Sequence, residues 1–109
     1  MNKNDYIKKS FDYIEDNLLE DICLDTLSDE AHFSKYHFHR LFRAGAGYSV
    51  MDYISRRRIV CAARELIFSD EKMTSIAFKY RFNSQDTFIR AFKRVYGVTP
   101  GQFRRDKML

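Results

Sequence analysis

A chain of 109 residues that is 45% apolar can form one ordinary domain or two very small ones, and is too apolar for a disordered segment. One Pro and four Gly argue against a many-turned β fold. The net charge of +4 hides an asymmetry: residues 1–30 set Lys3, Lys8 and Lys9 against nine carboxylates, a net of −6, which leaves +10 on residues 31–109.

In chain order, the apolar positions recur at helical spacing. Residues 5–20 place Tyr6, Ile7, Phe11, Ile14 and Leu18 on one face. A short helix is expected over 24–31. Ser34 is placed to cap a third helix, with Phe38, Leu41 and Phe42 inward. Ser49-Val50-Met51-Asp52 has capping-box spacing and opens a long helix to about Phe68, with Tyr53, Ile54, Ile59, Ala62, Ala63 and Leu66 inward. A polar break at Ser69-Asp70-Glu71-Lys72 precedes a short helix over 73–80. Asn83 is the expected cap of the next, which runs through Val95 and turns Phe88, Ala91, Phe92 and Val95 inward. Thr99-Pro100-Gly101-Gln102 combines a cap, Pro at the first helical position and Gln at the third. The fold class is therefore all-α, with seven helices.

The chain repeats itself at an offset of 50. Phe38-x-Arg40-x-Phe42-Arg43-x3-Gly47-x-Ser49-x3-Tyr53 recurs as Phe88-x-Arg90-x-Phe92-Lys93-x3-Gly97-x-Thr99-x3-Phe103. Upstream, Leu27 and Phe33 match Ile76 and Phe82 at an offset of 49, which implies one residue of slack in the turn. Each copy has a short helix, a tight connection (His32-Phe33 and Arg81-Phe82) and a capped helix carrying cations, the outline of a helix-turn-helix. The expected organisation is homeodomain-like: a first subdomain at 1–48, a connecting helix at 49–68 and a second subdomain at 69–109. A major groove admits an α-helix. The outward stripes keep Arg40/Arg90 and Arg43/Lys93 but differ at Tyr36/Asp86 and His39/Ile89. Two modules that share cations and differ between them are expected to read an asymmetric duplex as one chain. The connector, about 20 residues at 1.5 Å each, spans roughly 30 Å, close to the ~34 Å repeat of DNA.

These residues resemble the DNA-binding domain of AraC/XylS-type transcription regulators, over about Tyr6 to Arg105. The most specific parts are Phe38-x-Arg40-Leu41-Phe42, Tyr53-Ile54-x3-Arg58-Ile59-x2-Ala62-x3-Leu66, Ile76-Ala77-x4-Phe82 and Phe88-x-Arg90-x-Phe92-Lys93-x3-Gly97-Val98-Thr99-Pro100-x2-Phe103-Arg104. The size is similar to that of the MarA/SoxS/Rob subgroup, whose domain binds DNA as a monomer. The resemblance implies base reading by Tyr36, His39 and Arg40 in the first motif, and by Gln85, Asp86, Thr87 and Arg90 in the second. The subgroup has Trp at the Tyr36 position and Gln at those of His39 and Asp86, so its target sequence does not transfer. The usual turn glycines are His32 and Arg81 here. Either these residues accept positive φ or the turns differ. Ser28 stands where a small Ala is usual.

Arg40 and Arg90 suit bidentate pairing with guanine. Tyr36 and His39 suit base or phosphate, and Ile89 a thymine methyl. Asp86 could accept from cytosine N4, repel phosphate, or favour its own helix N-terminus. Phosphate contacts are expected from Lys35, Arg43, Lys93, Arg94, Arg104 and Arg105. They are also expected at the helix starts, around Ser34, Ser49, Asn83, Ser84 and Thr99. Arg56-Arg57-Arg58 cannot all share one helical face.

Other classes find little support. No run of ~18 apolar residues could span a bilayer, and no signal-peptide core follows the polar start. The expected location is the cytoplasm, with Cys23 and Cys61 reduced. Cys61 reads as a packing residue; a redox-sensing pair is the other reading. His32, His37, His39 and the cysteines lack metal-ligand spacing, so no metal or cofactor is expected. No phosphate-binding glycine loop, nucleophile elbow or His-Glu-x2-His occurs, so the chain does not read as an enzyme. The expected function is a sequence-specific regulator of double-stranded DNA, an activator by family habit, working with RNA polymerase. The alternative is a helical protein-interaction adapter that uses the acidic helix at 5–20. The chain begins directly with this region, as it does in those family members that carry a C-terminal effector domain, so an effector domain beyond Leu109 is one expectation.

Overall fold

The computed structural model describes residues 3–107. Among them are seven helices and no strand: α1 (Lys3–Asp16), α2 (Leu24–Glu30), α3 (Lys35–Ala46), α4 (Val50–Phe68), α5 (Met73–Lys79), α6 (Gln85–Tyr96) and α7 (Pro100–Lys107). The chain forms two compact units that divide within α4, between Ile54 and Ser55. The effector domain expected beyond Leu109 lies outside the described residues.

α1 stops earlier than its apolar period predicts. Asn17 ends it: its side-chain Nδ2 donates to the Tyr13 carbonyl at 2.8 Å. Its own N–H turns back to Ile14 at 3.1 Å, a tighter turn than the α-helix allows. Leu18 stays buried because this turn still points it inward. In the first unit, α1, α2 and α3 close over Ile14, Leu27, Phe38 and Phe42, with Val50 and Ile54 from the start of α4. Phe11 stacks on Phe42 at 4.8 Å between centroids, and Tyr53 meets Phe42 edge-on at 5.5 Å.

The second unit repeats the plan. Phe88 and Phe92 are fully buried beside Ile59, Ala62, Leu66 and Ile76. Phe103 meets Phe92 edge-on at 5.2 Å, the counterpart of the Tyr53 contact, and Tyr96 takes the third place at 4.8 Å. Glu65 ties α5 to α4: one carboxylate oxygen accepts from the Tyr80 hydroxyl at 2.8 Å and the Lys79 ammonium at 2.6 Å. Burial, and then this hydrogen bond, push the Tyr80 hydroxyl well above its usual range, so it remains a donor.

The two helix-turn-helix turns answer the question raised by the missing glycines. His32 and Arg81 adopt left-handed backbone, with φ of 62° and 72°. Each turn has the double hydrogen bond of a Schellman closure. Phe33 donates to Ser28 and His32 to Asp29; Phe82 donates to Ala77 and Arg81 to Phe78, all at 3.0–3.1 Å. The strain of a non-glycine residue at positive φ is offset by four satisfied carbonyls and by Phe33 and Phe82 turned back onto their units.

The residue of slack is Asn83. In the first copy Ser34 follows Phe33 directly and caps α3, accepting from the His37 N–H at 3.2 Å. In the second, Asn83 lies between Phe82 and Ser84, and Ser84 caps α6 by accepting from Thr87 N–H at 3.1 Å. The expected Asn83 cap is thus corrected to Ser84, which keeps the 50-residue register. Ser49 and Thr99 cap α4 and α7 as their spacing predicts, both at 3.2 Å.

α3 and α6 end at Gly47 and Gly97, with φ of 80° and 78°. An added Cβ would meet nothing within 4 Å at either site, so any cost is purely conformational. Gly47→Ala and Gly97→Ala are each expected to lower unfolding free energy by about 1 kcal/mol in urea denaturation.

Candidate nucleic-acid interface

Burial of Phe38 and Phe42 fixes the rotation of α3, and Phe88 and Phe92 do the same for α6. The opposite stripes face solvent. On α3 these are Tyr36, 74% exposed, with Arg40 and Arg43. The Arg40 guanidinium lies 5.8 Å from the Tyr36 ring centroid, a cation–π pair one helical turn apart. On α6 the exposed stripe is Asp86, Arg90, Lys93 and Arg94. Each helix therefore presents cations at the same two register positions, with different chemistry before them.

The remaining expected site residues are either half-buried or exposed with several of them engaged by neighbours. His39 and Ile89, equivalent in the repeat, are both half-buried because each adjoins a buried phenylalanine. The His39 Nδ1 is buried without a hydrogen-bond partner. Lys35 is ion-paired to Asp25 of α2. The Gln85 Oε1 accepts from the Thr74 hydroxyl at 2.7 Å, and its Nε2 lies 3.7 Å from the Met73 sulfur. The Thr87 hydroxyl lies 2.9 Å from the Ser84 hydroxyl within the α6 cap. Asn83 and Arg105 are exposed, and Ser49 and Thr99 are half-buried with their hydroxyls capping helices. Arg56, Arg57 and Arg58 are all half-buried.

Arg104, expected on phosphate, is occupied elsewhere. Its Nε donates to the Leu66 carbonyl at 2.8 Å and its Nη2 to the Ser69 carbonyl at 3.0 Å. It satisfies carbonyls at the C-terminal end of α4, where the helix dipole also favours a cation. Sequence reasoning missed this role, and missed Asp25 and Thr74 as partners of the first residues of α3 and α6. Both signals were available: Asp25 and Thr74 share the second position of the two short helices.

No helix among the described residues is long and apolar enough to cross a membrane. A helix-turn-helix domain model matches residues 27–106. The chain is 40% identical to the uncharacterized HTH-type transcriptional regulator YbfP of Bacillus subtilis over 98 residues, 90% of this chain and 33% of that protein. It thus spans a third of the length of that relative. It is 38% identical to the HTH-type transcriptional activator AarP of Providencia stuartii over 92 residues, 84% of this chain and 68% of AarP. The fold matches the DNA-binding domain of AdpA, solved in complex with a target DNA, with a TM-score of 0.85 and 25% identity, covering 92% of this chain and 90% of that one.

Two helix-turn-helix motifs with solvent-facing cations, on such a fold, define a DNA-binding transcription regulator. Within that class, the chain belongs to the AraC-type helix-turn-helix family.

Arg104→Ala is expected to lower unfolding free energy by about 1.5–3 kcal/mol, since two carbonyls lose a charged donor. The salt dependence of duplex binding should stay unchanged. A flatter salt dependence would return Arg104 to the phosphate contacts.

Proposed function

We propose that this chain activates transcription by reading an asymmetric duplex site as a single chain, with α3 and α6 each entering a major groove. The observation that carries this reading is the pair of solvent-facing stripes: the same cations at Arg40/Arg90 and Arg43/Lys93, and different neighbours at Tyr36/Asp86 and His39/Ile89. A symmetric dimer needs no such divergence within one chain, because its two half-sites are identical. The 19 residues of α4 are roughly 28 Å long, comparable to one ~34 Å turn of DNA, so residues 49–68 suit a connector between readers at 1–48 and 69–109.

In this reading Arg40 and Arg90 pair with guanine O6 and N7. Tyr36, His39, Gln85, Thr87 and Ile89 complete the base-facing surface, with Asp86 suited to accept from cytosine N4. Arg43, Lys93, Arg94 and Arg105 hold phosphates, with Lys35 once its ion pair with Asp25 opens. First-turn N–H groups beside Ser34, Ser49, Ser84 and Thr99, and the exposed Asn83, add further contacts.

Activation requires contact with the transcription machinery. α1 turns Asp12, Glu15 and Asp16 to its exposed face, which suits a basic surface on RNA polymerase. AarP, an activator by name, is 38% identical. The acidic helix as a protein adapter thus complements DNA reading.

Arg40→Ala and Arg90→Ala are each expected to weaken specific duplex binding by about 1–3 kcal/mol, and to relax base preference in different halves of the site. Titration of a selected duplex at several salt concentrations measures this. Wild-type affinity in both variants would remove these faces from DNA reading.

A further inference from the structure

The first residue of each reading helix is held by the second residue of the short helix before it. In the first motif the pair is Lys35 and Asp25; in the second it is Gln85 and Thr74. The chemistry differs, an ion pair against a neutral hydrogen bond, yet the positions correspond. The correspondence survives the extra Asn83, which makes the second separation 11 residues where the first is 10. A fortuitous surface contact would not be expected to reappear across that change of turn length.

In the second motif the contact fixes an amide. A thioether sulfur accepts and does not donate, so the side of Gln85 facing Met73 is its Nε2. The Thr74 hydroxyl then donates to Oε1. Met73 is itself half-buried and packed against the second unit's core, which keeps the sulfur near α6. Both polar ends of the Gln85 amide are thereby drawn toward α5. Bidentate recognition of adenine needs the opposite: Oε1 accepting from N6 and Nε2 donating to N7 of one base, with the amide edge turned into the groove.

Resting on the reading of α6 as a DNA-facing helix, we propose that Thr74 is a positioning residue that sets the specificity of Gln85. It holds the amide against α5, withholds the bidentate adenine contact and leaves Gln85 a single hydrogen bond to the groove. Asp25 engages Lys35 in the first motif by charge, an exposed ion pair that opens when Lys35 turns to a phosphate.

The test is selection of bound duplexes from a random pool by wild type, Thr74→Val and Thr74→Ser. Thr74→Val keeps the shape and removes the hydroxyl; Thr74→Ala removes it without the second methyl, should valine disturb folding. The expected result is a preference for adenine, raised roughly three- to tenfold, at one position of the second half-site in the valine and alanine variants. Thr74→Ser should keep the wild-type motif. A motif unaltered by losing the hydroxyl would overturn the positioning role alone, as would a uniform loss of affinity at every position. If wild type selects no motif at all, DNA reading by α6 falls, and this inference falls with it.

Discussion

The structure depends on one repeated packing constraint: two phenylalanines, four residues apart, buried on the inner face of each reading helix. Phe38, Phe42, Phe88 and Phe92 have no exposed surface. Truncating such a side chain to alanine generally costs about 3–5 kcal/mol, a large share of a small domain's stability. These side chains therefore permit one rotation of the helix about its axis. That rotation decides which residues meet solvent. The cations at positions 40, 43, 90 and 93 are outward because the phenylalanines are inward, and no separate interaction is needed to aim them.

Around this constraint the two copies share geometry and differ in chemistry. The turns at His32 and Arg81 have the same left-handed backbone and the same pair of carbonyl closures. The caps at Ser34 and Ser84 keep a 50-residue register even though Asn83 lengthens the second turn. The first turn of each reading helix diverges, Lys35 and Tyr36 in the first copy corresponding to Gln85 and Asp86 in the second, and so does the next turn, at His39 and Ile89. The first turn is where a groove-bound helix commonly meets base edges. A duplicated unit can change its target there without disturbing the buried pair one turn on.

Much of this was legible in the sequence, because the signals were local and periodic. The spacing of Phe38, Phe42, Phe88 and Phe92 gave the inner faces, and Ser49 and Thr99 gave the helix starts. What was hidden depended on competition or on distance along the chain. The end of α1 was missed because Asn17 bonds back to the backbone while the apolar period runs on to Leu18. The α6 cap was misplaced by one residue because Asn83 and Ser84 are both good caps. Only the register of the folded turn chooses between them. Arg104 looked like one more cation in a basic tail; its partners, the Leu66 and Ser69 carbonyls, lie 38 and 35 residues away. The half-burial of His39 and Ile89 likewise follows from the width of the buried seam, which a list of helix faces does not convey.

In the proposed function, one chain carries two different readers for one asymmetric site. Sedimentation equilibrium of the chain with a duplex selected from a random pool is the test: the mass of the complex gives the stoichiometry, and the selected sequence gives the symmetry of the site. One chain per duplex, on a site that is not a palindrome, is the expected result. Two chains bound to a palindrome, with no complex of one chain, would contradict it.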